Sequence, residues 1–191
     1  MQNDKYKLIR DICGLLSKGD AISAKLEAEK YPFNVESPTP RKFSAYDSMR
    51  LFLRDGFVDR YTGSKLVFPG TLYVLSQELP EHFPSHPHGK LSESHIVHWE
   101  LFPTVDHIIP VARGGADSEV NWVTTSMLTN QAKLHWTINE LGWEVKKAGN
   151  LNDWDGLTEW FQMRVDQNPK LLTHSSIKKW HRVAKKCVGA L

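Results

Sequence analysis

The sequence predicts an α+β protein in which a short strand–turn–strand–helix unit is carried between helical flanks. Three observations predict it. Apolar residues recur at helical spacing towards both ends of the chain. A β-branched run at the centre, Val105, Ile108, Ile109 and Val111, is followed by Gly114-Gly115 and then by Asn121-Trp122-Val123, a reversal and a return. A length of 191 residues, 40% of them hydrophobic, suits one core with decorations.

The elements follow in chain order. Leu8, Ile12, Leu15 and Leu16 form one helical stripe, and Ile22 and Leu26 begin another after a break at Gly19-Asp20, so two short helices are predicted. Tyr31 to Arg41 holds three prolines and reads as a linker. Tyr46 to Arg54 resumes helical spacing, whereas Phe57 to Phe68 is β-favouring around Thr62-Gly63 and predicts a small hairpin or extended turn. Leu72 to Leu79 is a further short helix. Pro80 to His98, with three prolines and five histidines, is a long ordered loop.

Trp99 to Val111 is the first arm of a β-hairpin, with Pro110 ending regular pairing. Asn121-Trp122-Val123 returns, and Thr124 or Thr125 caps a helix running to about Leu134. Trp154 to Val165 and Ser175 to Cys187 are amphipathic helices, the second through Ile177, Trp180, Val183, Ala184 and Cys187, with its lysines largely off that stripe. Trp180 therefore reads as core. The chain divides into an N-terminal helical arm (1–56), a central core (57–145, motif 99–135) and a basic C-terminal helical extension (146–191).

Charge narrows the partners. Residues 1–50 carry 9 basic and 7 acidic groups, residues 51–150 carry 8 and 11, and residues 151–191 carry 7 and 4. Nothing after Asp166 is acidic, so the C-terminal stripe with Lys178, Lys179 and Arg182 is the best electrostatic candidate for a polyanion backbone. The two cysteines, Cys13 and Cys187, stand near opposite ends without a CxxC, which disfavours a disulfide framework and a thiolate zinc site. No apolar run is long enough to span a bilayer and no signal-peptide order is present at the N-terminus, so a cytoplasmic protein without membrane contact is expected.

The chemistry concentrates in TVDHIIPVARGGADSEVNWVTTSMLTNQAK, residues 104–133. Asp106 can hold a divalent cation, His107 can take a proton near neutral pH, and Asn121 and Asn130 follow His107 by 14 and 23 positions. Neighbours on a strand point to opposite faces, so Asp106 and His107 divide into separate roles. Arg113 and Lys133 stand close enough in sequence to reach phosphate, or to be solvated or paired. The histidines His82, His86, His88, His95 and His98 sit among prolines without helical spacing and suit a loop surface better than a metal site. His98 and Glu100 are secondary candidates beside the hairpin, Glu100 with a salt bridge to Arg113 or Lys133 as its alternative.

On Asp106-His107, Gly114-Gly115, Asn121 and Asn130-x-x-Lys133 the sequence resembles the HNH endonuclease superfamily. The resemblance implies a ββα-metal core flanked by N-terminal and C-terminal helices, in an HNN variant. Asp106 and Asn130 would bind Mg²⁺, Mn²⁺ or another divalent cation, His107 would be the general base, and Asn121 would brace the hairpin loop and orient His107. It further implies hydrolysis of DNA to 5′-phosphate and 3′-hydroxyl ends, in restriction or defence, with a homing or packaging nuclease or a non-cleaving DNA-binding or scaffold protein as alternatives. One strand cut per site would make double-strand cleavage the work of a homodimer or of two successive visits. Unlike many relatives the chain lacks CxxC zinc knuckles, so no structural zinc is expected, and Asp59-Arg60-Tyr61-Thr62-Gly63 stands where a knuckle often begins, as a metal-free substitute.

Overall fold

The computed structural model describes residues 5–30, 43–86 and 89–188, so the linker predicted over 31–41 and His88 lie outside the described residues. The chain separates into two compact units, Met1–Ser37 and Pro38–Leu191.

The first unit holds α1 (Lys5–Ser17) and α2 (Ala21–Ala28), the two helices expected around Gly19-Asp20. Gly19 adopts φ +76°, a left-handed turn open to glycine, and the Asp20 carboxylate then caps α2 by accepting from the Ser23 N–H.

The second unit begins with α3 (Ala45–Arg54), entered through a reciprocal capping box between Ser44 and Asp47. A tight hairpin follows, with Val58 bridged to Lys65, and leads into α4 (Pro69–Glu78), which starts at Pro69, three residues before the predicted helix. The histidine-rich loop ends in α5 (Val97–Glu100). Trp99 is thus helical, and β1 is confined to Pro103–His107; Val111 belongs to a 3₁₀ turn after Pro110, so the long first arm of the sequence reading is shortened at both ends.

Antiparallel β2 (Trp122–Ser126) pairs Asp106 with Val123 and His107 with Trp122. The strand runs through Thr124 and Thr125, both fully buried, and the cap of α6 (Met127–Lys133) is Ser126, whose hydroxyl accepts from the Thr129 N–H. Neither threonine caps the helix because ladder pairing to Val105 and Thr104 claims both. α7 (Ile138–Leu141), α8 (Thr158–Gln167) and α9 (Ser175–Val188) complete the unit.

The core lies mostly outside the strands. Phe68 is fully buried and meets Phe161, Trp180 and Phe57 with ring centroids 5.0, 5.7 and 6.3 Å away. Such edge-on contacts add about 0.5–1.5 kcal/mol each beyond area burial. Ile177, Trp180, Ala184 and Cys187 form the buried stripe of α9, and Met49, Leu51 and Phe52 that of α3. Residues 38–56, assigned from the sequence to an N-terminal arm, and the C-terminal helices therefore share one unit with the strands. A two-stranded sheet has too little apolar surface to be stable by itself, and these helices supply it.

Candidate active site

Two buried carboxylates, Asp55 and Asp59, tie down β2. From the hairpin, Asp59 accepts from the N–H groups of Tyr61 and Thr62 through Oδ1, and from the Ser126 N–H and Thr125 hydroxyl through Oδ2. Fully buried Asp55 accepts from the Thr124 N–H at 2.8 Å and from the Arg60 guanidinium at 2.6 Å. The Arg60 N–H donates to the Thr124 carbonyl, so the Asp59–Gly63 segment is fastened along β2. A close approach of backbones seals it: a Cβ on Gly56 would stand 2.4 Å from the Gly149 carbonyl carbon.

β1 delivers Asp106 and His107, both buried, to opposite sides. The Oδ2 of Asp106 accepts from the Tyr61 hydroxyl at 2.7 Å and pairs with Lys133 Nζ at 2.9 Å. Burial, followed by the charge of Asp106, pushes the Tyr61 phenol far up, so it remains a donor. Lys133, fully buried on the last turn of α6, also donates to the His107 carbonyl at 2.7 Å. That corrects its expected role at phosphate: its ammonium is spent inside the protein on Asp106 and β1. The same contact removes the suggested Glu100–Lys133 bridge.

His107 faces Trp122 across the ladder, with the rings edge-on at 6.3 Å. Its Nε2 lies 2.8 Å from Asp117 Oδ1 and 3.0 Å from the Trp122 indole nitrogen.

Asn121 locks the loop between the strands. It accepts from the Ile109 N–H through Oδ1 and donates through Nδ2 to the carbonyls of Ile109 and Ala116. The loop can close only because Gly115 has no side chain: a Cβ there would sit 1.9 Å from the Ile109 carbonyl oxygen.

Asn130, one turn before Lys133 on α6, is half-buried and donates through Nδ2 to the Val105 carbonyl at 3.3 Å, beside Asp106 on β1. Its amide oxygen and Asp106 Oδ1 carry no hydrogen bond among the described residues. The Asp106 carboxylate on β1 and the Asn130 amide on α6, tied to the neighbouring Val105 carbonyl, offer oxygens of the hard type that a divalent cation keeping most of its waters accepts. Among the described residues no three His, Cys, Asp or Glu side chains gather into a metal-binding group.

The remaining candidates lie elsewhere. Arg113 pairs with Glu140 at 3.0 Å, with nearly half of its side chain exposed, and this pairing replaces the alternative of a bridge to Glu100. Lys178, Lys179 and Arg182 are exposed on α9. Buried His98 sits 2.9 Å from the Ser76 hydroxyl, and burial lowers its pKa. His95 accepts from the Val97 N–H, and His86 stands 3.6 Å from Glu93.

Tyr61, Asp117 and Trp122 were missed as site residues. Trp122 was recoverable from register, since a hairpin pairing Asp106 with Val123 puts Trp122 opposite His107. Tyr61 sits in the segment set aside as a knuckle substitute, but only the tertiary fold turns it towards Asp106. Asp117 carried no signal beyond being acidic in the loop. No described helix is long and apolar enough to cross a membrane. Comparison with protein-family models, with curated proteins and with solved structures finds no match for this chain.

Proposed function

We propose that this protein is a metal-dependent HNH endonuclease, in the HNN variant, that hydrolyses DNA phosphodiester bonds. The observation that carries the proposal is one arrangement: Asp106 and His107 on the first strand, Asn121 locking the loop, and Asn130 returned by the helix onto the carbonyl that precedes Asp106. In this reading His107 takes the proton of the attacking water, while Asp106 and Asn130 would be the residues that hold Mg²⁺ or Mn²⁺. A cation held there would supply positive charge at the phosphate. Water's oxygen bonds to phosphorus as the bond to the 3′ oxygen breaks, giving 5′-phosphate and 3′-hydroxyl ends.

Lys178, Lys179 and Arg182 on α9 would follow the DNA backbone, and Arg113 would exchange Glu140 for phosphate. A cytoplasmic restriction or defence role, with a homodimer for double-strand cutting, rests on resemblance to the family.

One observation favours the second reading, a non-cleaving DNA-binding or scaffold protein with an HNH core: the Lys133 ammonium already neutralises Asp106. Incubating purified protein with supercoiled plasmid and Mg²⁺ or Mn²⁺, then analysing the ends, separates the two. Metal-dependent nicks with 5′-phosphate and 3′-hydroxyl ends are expected. Plasmid binding without nicks under either metal would establish the non-cleaving protein instead.

A further inference from the structure

We propose that Asp117 is a positioning residue that fixes His107 in the tautomer carrying its proton on Nε2, leaving the Nδ1 lone pair as the base. This rests on the reading of His107 as the proton acceptor. The His107 side chain is 4% exposed, so its packed ring has little freedom to reorient. Three polar atoms meet at its Nε2 edge: Asp117 Oδ1 at 2.8 Å, the Trp122 indole nitrogen at 3.0 Å, and again 3.0 Å between that indole and Asp117 Oδ1.

The donor inventory sets two assignments against each other: Nε2 accepting from the Trp122 N–H at 3.0 Å, or Nε2 donating to Asp117 Oδ1 at 2.8 Å. Indole N–H is a donor only and an ionised carboxylate an acceptor only. Were Nε2 unprotonated, its lone pair would face a carboxylate oxygen at 2.8 Å, an unfavourable contact inside a low-dielectric site. The Trp122 N–H reaches Nε2 and Asp117 Oδ1 equally, at 3.0 Å each, so with the proton on Nε2 it keeps the carboxylate as its acceptor, and Asp117 Oδ1 accepts from both His107 and Trp122. Nδ1 then carries the lone pair and no hydrogen bond among the described residues.

The arrangement also gives Asn121 a route to His107. Asn121 Nδ2 holds the carbonyl of Ala116, whose next residue is Asp117, while its other bonds hold Ile109, two residues after His107. One amide thereby sets the spacing between the carboxylate and the ring it orients. A second shell that selects the imidazole tautomer is a known means of aiming the other nitrogen.

The test uses the full chain with ¹⁵N-labelled histidine. Two-bond proton–nitrogen spectra of the neutral ring distinguish a protonated Nε2 from a protonated Nδ1. Wild type is expected to show Nε2–H alone, and Asp117→Ala a mixture of both tautomers. Single-turnover nicking by the variant should fall on the order of 100-fold with DNA affinity within about two-fold. A wild-type ring protonated on Nδ1 overturns the proposal whether or not the variant folds. So does an Asp117→Ala protein that keeps Nε2–H alone, or one that mixes tautomers yet nicks at the wild-type rate. If wild type shows the tautomer but cuts no DNA, the nuclease reading fails, and with it a catalytic use of Asp117, while the hydrogen-bond assignment stands.

Discussion

Replacing Lys133 by methionine removes a buried ammonium while keeping most of its aliphatic stem. The lysine is fully buried, lies 2.9 Å from Asp106 Oδ2 and donates to the His107 carbonyl at 2.7 Å. Removing one partner of a buried ion pair costs about 3–5 kcal/mol, because the other charge is left without compensation. Asp106 keeps the Tyr61 hydroxyl as a donor at 2.7 Å, which favours the lower end, about 3 kcal/mol. For a chain of this size that corresponds to a fall of about 6–12 °C in melting temperature.

The same variant probes the cation. If Asp106 is a metal ligand, Mg²⁺ supplies the charge the lysine gave, so the variant should bind the ion more tightly than wild type. At ten times its dissociation constant an ion stabilises the folded state by about 1.4 kcal/mol, a recovery of about 3–6 °C. The assay is thermal and urea unfolding of both proteins in EDTA and in Mg²⁺. A loss below about 1 kcal/mol in EDTA would refute the ion-pair reasoning, judged against the range given for such pairs. Equal stabilisation of both proteins by Mg²⁺ would refute a cation at Asp106.

Two further predictions concern the loop and its neighbour. Gly115→Ala drives a methyl onto the Ile109 carbonyl oxygen, 1.9 Å away, and onto the Asn121 amide, whereas the Cβ of Gly114→Ala meets nothing within 4 Å and suffers only from φ +84°. Unfolding should therefore show about 2–3 kcal/mol lost at Gly115 and about 1–2 at Gly114, with nicking abolished only in the former; comparable nicking in both would contradict the role given to loop closure. Glu140 is held well below the ordinary glutamate value of 4.5, at about 2, first by the Thr137 N–H, then by the Thr137 hydroxyl and Arg113. Its folded value is depressed, so its contribution is complete above 4.5 and disappears as pH falls towards 2. A carboxylate ¹³C titration should show this, with Arg113→Ala moving the midpoint upward; a wild-type midpoint near 4.5 would contradict the capping geometry.

Much of the candidate site was legible because it is local. Asp106, His107, Asn121 and Asn130 lie within one strand–loop–strand–helix, where spacing alone determines which residues return to β1. α9 was legible too, since its stripe repeats at helical spacing and its lysines do not. What escaped was decided by tertiary contact. Lysine is among the residues least often buried, and Lys133 can be buried because its ammonium pairs with Asp106 and donates to the His107 carbonyl. Thr124, Thr125 and Ser126 are all capping residue types, and strand pairing rather than identity chose the last of them. Tyr61 reaches Asp106 from 45 residues away, beyond any local pattern. The boundary of the first unit was missed because α3 shows the same amphipathic pattern whether it packs on an arm or beside α9.

The central claim is that His107 takes the proton from water in a cation-dependent hydrolysis of DNA. Single-turnover nicking of a labelled duplex or supercoiled plasmid by wild type and by His107→Ala, both shown to be folded and to bind DNA, tests it most directly. Loss of positioned general-base catalysis should lower the Mg²⁺-dependent rate by about 10²–10⁴-fold while leaving DNA affinity nearly unchanged. A His107→Ala protein that nicks at the wild-type rate would contradict the account.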